Sequence, residues 1–471
     1  MRRTAAVKRS ILVVTTAIQL ILLVAACTSS PPVAVRSSPA AAAPAHAGAH
    51  PCPGAPTFTC SFLSVPLDRS GAVAGTLSLQ YAVASNSSAP HGTLLFLTGG
   101  PGQPGVPFIA EIRKALPAVV RGYRLVMIDQ RGTGGGGLDC PALQRQMGES
   151  DTFPPTAQAV GSCALSLGQD RNYFTTADTV ADLDALRRAL HLSSWTIDGV
   201  SYGTFVAEQY GLTYPSRVRK LVLDSVVPQR NVDPLYVESM HRSAYVLRQA
   251  CRLQQCGYDP ATELAQVISK YGLAARIFDI LVILSVIDPR LTDPSIPLLS
   301  TLHEAAGGNP GPLTRLVTGF YGNAVVRQQI YSSGLHAATL CADIRDMPWG
   351  DSAAPLASRS AALSRAVARI PASATWPFPP STAGEQGIVA ECRYWPPARP
   401  DPVPPYGTLT MPVLLLAGDL DLSCPLPWDE EEAAQIPHAT LVVVSGSGHS
   451  TQLRSRQGAA AAEKFLLASG S

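Results

Sequence analysis

Trp195-Thr-Ile-Asp-Gly-Val-Ser-Tyr-Gly-Thr204 runs from a short apolar segment into a tight turn bounded by glycines. The turn has the pattern G-x-S-x-G, with Ser201 at its centre. A serine on a sharp strand-to-helix turn is pushed out of the sheet, which exposes its hydroxyl beside the next backbone N–H. A chance glycine-rich turn can carry the same letters. The helix-like apolar spacing from Thr204 to Tyr210 nevertheless favours a nucleophilic serine at the start of a helix.

Apolar runs with strand character alternate with helical patterns on both sides of this turn. The predicted strands are Thr76–Val83, Leu94–Leu97, Tyr123–Ile128, Trp195–Ile197, Val218–Leu223, Pro412–Leu416 and Thr440–Val444. We expect the folded domain to begin with the first of these strands, at Thr76. A helix is predicted over Thr179–Leu190, where Asp182 follows Thr179 at capping-box spacing, and a final helix over Gly458–Ala468. This alternation predicts an α/β protein with a mostly parallel sheet covered by helices on both faces.

The alternation stops between Val226 and about Tyr406, where the sequence is mostly helical and interrupted by prolines. A chain of 471 residues is long for one ordinary domain. We therefore interpret residues 226–408 as a large, mainly helical cap inserted between core parts at 51–225 and 409–471. The most apolar segment of this insertion, Leu273–Ile287, is either a buried cap helix or a helix that dips into a membrane. Its short length and internal charges favour the buried helix.

The first 27 residues have the pattern of a bacterial lipoprotein signal peptide. A basic start precedes the apolar run Ile11–Ala26, which is shorter than the roughly 20 residues of a membrane span. The run ends in Leu23-Val-Ala-Ala-Cys27, which is similar to a lipobox, whose cysteine is lipidated. We expect an exported protein that is lipid-anchored through Cys27 to the outer face of the cell membrane, with residues 28–50 as an Ala/Pro/Ser-rich tether. The alternative is an ordinary signal peptide and an incidental Cys27.

The chain has ten cysteines, and export would make disulfides the default state of the nine other than Cys27. Sequence proximity suggests the pairs Cys52–Cys60, Cys140–Cys163 and Cys251–Cys256, with Cys341–Cys392 as a longer-range bridge. Cys424 would then be unpaired, although connectivity cannot be fixed from a sequence. No C-x-x-C motif or Cys/His cluster with ligand spacing indicates a metal site. The net charge of +2, without a basic run beyond the N-terminus, gives no reason to expect a nucleic-acid partner.

A nucleophilic serine needs a base, and the base needs an orienting carboxylate. His449 follows an apolar strand in Gly446-Ser-Gly-His449-Ser450 and is the candidate base, an ordinary loop histidine being the alternative. The acid should follow the preceding strand, where Asp419 and Asp421 both qualify. We choose Asp421 because it lies further along the loop, although spacing alone does not separate the two. The order Ser201, Asp421, His449 is that of the α/β-hydrolase fold.

An oxyanion hole requires two backbone N–H donors near the serine. Tyr202 supplies one as the residue after the nucleophile, and the loop after an early strand should supply the other. We choose Gly100 in that loop, although its glycines could simply form a turn. No metal or organic cofactor is expected for such a mechanism.

Several segments together carry a family resemblance. They are Gly99-Gly-Pro-Gly102, Asp129-Gln-Arg-Gly-Thr-Gly134, Gly199-Val-Ser-Tyr-Gly-Thr204, Tyr214-Pro-Ser-Arg-Val218, Cys341-Ala-Asp343, Cys392-Arg-Tyr-Trp-Pro396 and Val65-Pro-Leu-Asp68. The chain resembles the prolyl and tripeptidyl aminopeptidase branch of the α/β hydrolases, in its actinobacterial exported form. Asp421 matches the acid segment of that family, and His449 matches its histidine segment.

The resemblance implies a serine exopeptidase that releases amino acids or short peptides from the free N-terminus of peptides. Such an enzyme needs a carboxylate that meets the α-ammonium group of the substrate and a cap that excludes longer chains. Asp343 and Glu391 are our candidates, because each lies beside a cysteine of the suggested long bridge. Both could also be ordinary surface acids. An esterase acting on small acyl esters, and a non-catalytic surface-binding lipoprotein on the same scaffold, are the alternative functions.

The sequence departs from the family pattern at three places. Thr98 stands where some relatives carry histidine, and Gly135–Gly137 replaces a small polar residue. Cys424 stands where relatives usually have threonine or serine, whose hydroxyl can cap the following helix, and cysteine caps poorly. A free thiol at Cys424 near the acid loop would make the protein sensitive to bulky thiol reagents.

Overall fold

The computed structural model describes residues 48–321, 327–398 and 407–468. The predicted signal peptide, the lipidation site Cys27 and most of the predicted tether lie outside these ranges. Across the described ranges, no helix combines the length and the apolar character that a membrane crossing requires.

A nine-stranded sheet forms the centre of the fold, with the strand order β1-β2-β3-β5-β4-β6-β7-β8-β9. The strands are β1 His50–Cys52, β2 Ala55–Pro66, β3 Thr76–Ala84, β4 Thr93–Leu97, β5 Arg124–Ile128, β6 Trp195–Val200, β7 Val218–Asp224, β8 Val413–Gly418 and β9 Ala439–Val444. Strands β4 to β9 are parallel, and β1 to β3 join them by antiparallel pairing. The predicted α/β hydrolase sheet is confirmed, and each predicted strand is present.

The expectation that the fold begins at Thr76 is wrong. Strands β1 and β2 form a hairpin before that residue, and β2 pairs with β3 along most of its length. Only scattered positions of β2, among them Phe58, Cys60 and Val65, are buried, and serine and threonine residues lie between them. This weak alternation hid the strand from pattern analysis, because a strand that is buried at only a few positions has no continuous apolar run.

Both faces of the sheet are buried, because successive side chains of a strand point to opposite sides. Leu95, Ile197 and Leu415 lie in the core on one face. Leu94 and Leu414 lie in the core on the other face. The helices that flank the sheet are α1 Ile109–Ala115, α2 Pro117–Gly122, α3 Pro141–Met147, α4 Ala157–Leu167, α5 Thr176–Ala189, α6 Tyr202–Thr213, α16 Leu426–Gln435, α17 Thr451–Arg454 and α18 Arg456–Leu467.

Helix α5 begins before its predicted start. Its capping box joins Thr175 to Asp178, whereas the sequence pattern placed it at Thr179 and Asp182. Asp182 instead accepts hydrogen bonds from the buried guanidinium group of Arg131, at 2.7 and 2.8 Å. The two Thr-x-x-Asp patterns are equivalent in the sequence, and only the tertiary contact of Asp182 tells them apart.

The described chain between β7 and β8 is helical. Its helices are α7 Val237–Gln254, α8 Pro260–Tyr271, α9 Ala274–Ile287, α10 Leu298–Ala306, α11 Gly311–Tyr321, α12 Ser333–Asp343, α13 Leu356–Val367, α14 Ala372–Thr375 and α15 Gly387–Tyr394. Helix α9 is buried, including Asp279, which accepts a hydrogen bond of 2.6 Å from Thr152. A buried, bonded carboxylate favours the buried cap helix over a membrane-dipping helix. The boundaries 226–408 of the insertion stay a prediction.

The cysteines pair in the expected way. The structure contains the bridges Cys52–Cys60, Cys140–Cys163, Cys251–Cys256 and Cys341–Cys392. Cys424 is a free, buried thiol. The bridge between Cys341 and Cys392 joins α12 to α15, which together hold both predicted ammonium-binding acids.

Candidate active site

The turn between β6 and α6 holds Ser201 in a strained backbone conformation. Its φ is 57° and its ψ is −130°, and positive φ is uncommon for a residue with a side chain. A Cβ atom on Gly199 would lie 2.4 Å from the carbonyl oxygen of Gly203. A Cβ atom on Gly203 would lie 2.5 Å from the carbonyl oxygen of Leu97. Only glycine therefore allows strand, turn and helix to pack this closely, as the G-x-S-x-G pattern predicted.

Asp421 and His449 meet at the carboxyl ends of β8 and β9. Asp421 Oδ2 lies 2.8 Å from Nδ1 of His449, and its Oδ1 accepts N–H bonds from Ser423 at 2.8 Å and Cys424 at 3.0 Å. The carboxylate is 1% exposed. A fixed, buried acceptor of this kind holds the imidazole in one orientation and one tautomer.

Asp419, the other candidate acid, has a different role. Its carboxylate accepts hydrogen bonds from the backbone N–H of Gly446 at 2.6 Å, the Ser445 hydroxyl at 3.2 Å and the Tyr245 hydroxyl at 3.3 Å. Asp419 thus supports the loop that precedes His449, whereas Asp421 contacts the imidazole itself. The geometry separates two acids that spacing left equivalent.

Helix α9 clamps the acid loop and the histidine loop together. The carbonyl of Ser285 accepts the N–H of His449 at 3.1 Å, and its hydroxyl accepts the N–H of Leu422 at 3.1 Å. A Cβ atom on Gly448 would lie 1.8 Å from the Ser285 carbonyl oxygen, so this contact requires glycine. A helix of the insertion therefore helps to position both members of the acid–histidine pair.

The electrostatics around His449 favour its protonated form. Burial alone would lower the pKa of His449, but the charge and the hydrogen bond of Asp421 outweigh it and raise the pKa above the usual value. Asp224 adds to the increase, and Arg454 opposes it. The imidazole is thus a stronger base than free histidine, which suits proton abstraction from a hydroxyl.

The hydroxyl of Ser201 lies against the Cys424 thiol, whose pKa burial raises well above its usual value. Within the described ranges, no hydrogen bond joins Ser201 to His449. Nucleophile–base bonds are often long in an unliganded hydrolase and shorten when a substrate binds. Asp224 nevertheless links the two residues. Its carbonyl accepts the N–H of Ser201 at 2.9 Å, and its charge raises the pKa of His449.

The loop after β4 lies over Ser201 as the predicted oxyanion loop should. Gly100 has a φ of 107°, and a Cβ atom there would lie 2.5 Å from the backbone nitrogen of Gly102, so glycine is required. Thr98 Oγ1 donates to the Gln103 carbonyl at 2.9 Å, which braces the loop at one of the positions that depart from the family pattern. A cavity of about 10 Å³ beside this loop is also lined by Tyr202. It has room for about one water molecule.

Asp343 is buried at the end of α12. Its Oδ2 accepts the N–H of Thr176 at 3.0 Å and also the Thr176 hydroxyl. That hydroxyl is hydrogen-bonded to the phenol of Tyr202, the predicted oxyanion donor. Asp343 is therefore no surface acid, and it reaches the site through the residue that follows the nucleophile.

Glu391 is also fully buried, and it faces a histidine. Its Oε2 lies 2.9 Å from Nδ1 of His336, whose Nε2 lies 3.0 Å from Oδ1 of Asp151. Tyr331 donates to the same oxygen of Asp151 at 3.1 Å. Burial alone would lower the pKa of His336, but the two carboxylates raise it to about 10. Asp151 is partly accessible to solvent, with a side chain that is 23% exposed, whereas Glu391 is not.

Sequence analysis missed Asp151, His336 and Asp224. His336 carries no motif that separates it from the other histidines of the insertion, and Asp151 lies in a loop with no motif. Asp224 carried a usable signal, because it is a charged residue at the carboxyl end of a predicted apolar strand, where ligands bind in open α/β sheets.

Cys341, Glu391 and Cys392 are the one group in the described ranges whose possible ligand atoms lie within 4.8 Å of one another. The two sulfurs are joined in a disulfide, so they offer no thiolate to a metal. This group does not fit a metal site.

Two family models match the chain. The α/β-hydrolase fold model covers residues 92–267, and the model of the TAP-like proteins covers residues 378–471. The first match contains Ser201 and the loop after β4. The second contains Asp421 and His449.

Three of the curated relatives are peptidases by name. A tripeptidyl aminopeptidase of Streptomyces lividans is 30% identical over 193 residues, covering 36% of this chain and 36% of the relative. The serine protease Hip1 of Mycobacterium tuberculosis is 29% identical over 261 residues, 51% of this chain and 48% of the relative. A probable proline iminopeptidase of Streptomyces coelicolor is 33% identical over 145 residues, 31% of this chain and 36% of the relative. The matched parts thus span half or less of each relative's length.

The strand order, the glycine-bounded serine turn and the two family matches agree with one another. The chain therefore has the α/β-hydrolase fold, and the proteins that it is similar to include tripeptidyl aminopeptidases and proline iminopeptidases.

Proposed function

We propose that this protein is a serine exopeptidase that releases amino acids or short peptides from the free N-terminus of peptides. The single observation that carries the proposal is the 2.8 Å contact between Asp421 and His449 at the sheet edge where Ser201 is presented. The three relatives named above are peptidases by name, which supports a peptide substrate over a small acyl ester.

In the proposed mechanism, His449 Nε2 takes the proton of the Ser201 hydroxyl while Oγ attacks the carbonyl carbon of the scissile bond. The imidazolium then gives this proton to the leaving amine, and the C–N bond breaks to leave an acyl-enzyme. A water molecule, deprotonated by the same nitrogen, hydrolyses the ester and restores the serine hydroxyl. The N–H groups of Gly100 and Tyr202 stabilise the oxyanion in both steps, each contributing about 3 kcal/mol.

Recognition of a free N-terminus requires a fixed negative charge near the nucleophile, and Asp151 meets that requirement best. Burial first, and then the charges of Asp421, Asp429 and Asp151, raise the pKa of the Cys424 thiol, which lies beside Ser201. Asp151 also accepts a hydrogen bond from Tyr331, whose ring lies beside Gly102 of the loop after β4. It is also partly exposed, so a substrate ammonium group can approach it.

Asp343 and Glu391, the acids chosen from the sequence, then support the site instead of binding the substrate. Glu391 fixes the charge and the orientation of His336, which in turn holds Asp151 Oδ1. Asp343 holds Thr176 against Tyr202. In this proposal the ammonium group meets Asp151, and the two fully buried acids stay with their present partners.

The test is to profile a library of free-amine peptides and their N-acetylated counterparts by mass spectrometry. The wild type should cleave the free-amine set from the N-terminus and spare the acetylated set, and Ser201→Ala should cleave neither. Asp151→Asn should lower kcat/KM for free-amine peptides by about 100-fold, the value of a charge-assisted contact of about 3 kcal/mol. It should leave a small acyl ester almost unaffected.

Asp346→Asn is the control, because Asp346 is an exposed carboxylate that follows α12 and is distant in sequence from Asp151. It should behave as wild type on every substrate. Equal cleavage of free and acetylated peptides would refute the exopeptidase proposal. Equal losses on peptide and ester in Asp151→Asn would refute the role of Asp151 alone.

We also propose that the protein is exported and anchored by a lipid on Cys27, as its N-terminal sequence pattern suggests. The test is metabolic labelling with a fatty-acid analogue. The wild type should carry the label in the membrane fraction, and Cys27→Ser should not. Unlabelled wild-type protein in the culture medium would contradict the anchor.

A further inference from the structure

Asp224 ends strand β7 in the middle of the sheet and is fully buried. Its carboxylate accepts the backbone N–H groups of Thr451 and Gln452, each at 2.9 Å, and the Thr451 hydroxyl at 2.8 Å. These acceptor contacts all lie within three residues of His449. A buried carboxylate with this many donors is held rigidly and holds its donors rigidly in return.

The backbone of the same strand end reaches the nucleophile. The carbonyl of Asp224 accepts the N–H of Ser201 at 2.9 Å. The next residue, Ser225, accepts the N–H of Ser450 through its hydroxyl at 2.8 Å. Two consecutive residues thus bond both to the serine turn and to the residues that directly follow the catalytic histidine candidate.

The charge of Asp224 is also close enough to act on the imidazole. The charged groups that influence the pKa of His449 are Asp421, Asp224 and Arg454. Helix α9 contributes no charge here: its Ser285 carbonyl accepts a hydrogen bond from the backbone N–H of His449. Burial raises the pKa of Asp224 to about 6, while its N–H donors and His449 oppose that rise. At neutral pH the carboxylate is therefore ionised, and it becomes protonated in mildly acidic solution.

We propose that Asp224 is a positioning residue for the catalytic reaction. Its carboxylate, the second one near His449, holds the backbone that carries His449 in a fixed position relative to Ser201. Asp421 orients the imidazole ring through Nδ1, and Asp224 fixes the backbone that carries the ring. This inference rests on the catalytic roles proposed above for Ser201 and His449. It adds that the alignment of the two depends on one ionised carboxylate that touches neither side chain.

Asp198 provides a matched control from the same buried layer. It lies on β6, beside β7, and is fully buried like Asp224. Its carboxylate accepts the side-chain amide of Gln452 at 2.7 Å. Within the described residues it receives no backbone N–H from the histidine loop. Asp198→Asn therefore changes a buried carboxyl group without removing an acceptor of the loop's backbone N–H groups.

The experiment compares Asp224→Asn and Asp198→Asn in the full-length protein. The first measurement is the rate at which a fluorophosphonate labels Ser201 between about pH 5 and pH 9, a range that includes the usual histidine pKa. Asp224→Asn should lower the labelling rate at neutral pH at least tenfold. It should also shift the acidic side of the pH–rate profile to lower pH, because the imidazole loses a nearby negative charge and its pKa falls. Asp198→Asn should stay within about threefold of wild type. A thermal melt of each variant shows whether it is folded.

The second measurement does not require activity. The proton shared by His449 Nδ1 and Asp421 should give a downfield resonance in the proton NMR spectrum. Asp224→Asn should shift or broaden it, and Asp198→Asn should leave it in place. An unchanged resonance in Asp224→Asn, or equal effects of both variants on the labelling rate, would overturn the inference.

These readouts separate this inference from the proposed function. If the wild type is not labelled but the resonance moves in Asp224→Asn, the serine mechanism fails and the positioning role stands. If the wild type is labelled and both variants match it, the mechanism stands and the positioning role fails. Loss of the preference for free amines affects neither measurement.

Discussion

The molecule contains two carboxylate–histidine pairs that look alike and differ in their second nitrogen. Asp421 contacts Nδ1 of His449 at 2.8 Å, and Glu391 contacts Nδ1 of His336 at 2.9 Å. Both carboxylates are buried. Nε2 of His336 is hydrogen-bonded to Asp151 at 3.0 Å, whereas Nε2 of His449 makes no hydrogen bond within the described ranges.

This difference explains why only one of the pairs can supply a base. Burial would lower the pKa of His336, but Glu391 and Asp151 together raise it to about 10, so His336 stays protonated and joins the two acids. His449 has a raised pKa but keeps a nitrogen free to accept a proton. A carboxylate–histidine contact therefore does not define a catalytic pair. What defines it is the open nitrogen beside a nucleophile.

The largest expected effect comes from removing the acid of the proposed catalytic pair. Asp421→Asn should lower kcat for a good substrate by about 10⁴-fold, because an amide can hold the imidazole in the wrong tautomer. Asp419→Asn should lower it by at most about tenfold, since Asp419 accepts hydrogen bonds from the loop and from Tyr245 and not from the imidazole. Steady-state kinetics on both variants decides between the two acids, and a larger loss in Asp419→Asn would reverse the assignment.

Breaking the other pair should affect stability. Glu391→Gln leaves the buried imidazolium of His336 without one of its two charges, and removal of one member of a buried ion pair costs about 3 kcal/mol. The measurement is the free energy of unfolding from urea titration. Glu385→Gln is the control, because Glu385 is exposed and only a few residues away. Equal stabilities of the two variants would contradict the structural role of Glu391.

The raised pKa of His336 also predicts how stability depends on pH. The folded pKa of about 10 exceeds the unfolded value of about 6.5, so protonated His336 contributes stability fully below about pH 6.5. That contribution is lost as the pH rises through 10. Urea titrations at about pH 7 and pH 10 should show a larger loss for wild type than for His336→Gln. Equal losses would mean that His336 is not the titrating group.

The smallest effect concerns Cys424. Its thiol is 2% exposed, and burial raises its pKa, so little reactive thiolate forms at neutral pH. The folded protein should therefore resist bulky maleimides and keep its activity, contrary to the sensitivity expected for an accessible thiol. Intact mass after labelling in the presence and absence of urea measures this. Rapid labelling of the folded protein with loss of activity would show that the site opens.

The sheet and the segments that carry Ser201 and His449 could be predicted from the sequence, because the patterns that mark them are local. Ser201 is marked by the glycines that its turn requires, and His449 follows an apolar strand in a flexible loop. Each of these patterns depends on neighbouring residues, so no knowledge of the tertiary fold is needed.

The supporting acids could not be predicted, because their roles arise from contacts between distant segments. Asp151, His336 and Glu391 lie in three separate parts of the chain and have meaning only together. Glu391 was chosen for its neighbouring cysteine, which the bridge does fix in place, but burial removes it from the substrate. Asp421 and Asp419 illustrate the same limit within one loop, since only the folded structure shows which acid faces the imidazole.

The most direct test of the central claim is to map fluorophosphonate labelling by mass spectrometry in wild type and in His449→Ala. The account predicts one adduct, on Ser201, that forms rapidly in wild type and at least about 10³-fold more slowly in the variant, as loss of a catalytic base requires. Adduct formation on another residue, or equal rates on Ser201 in both proteins, would contradict it.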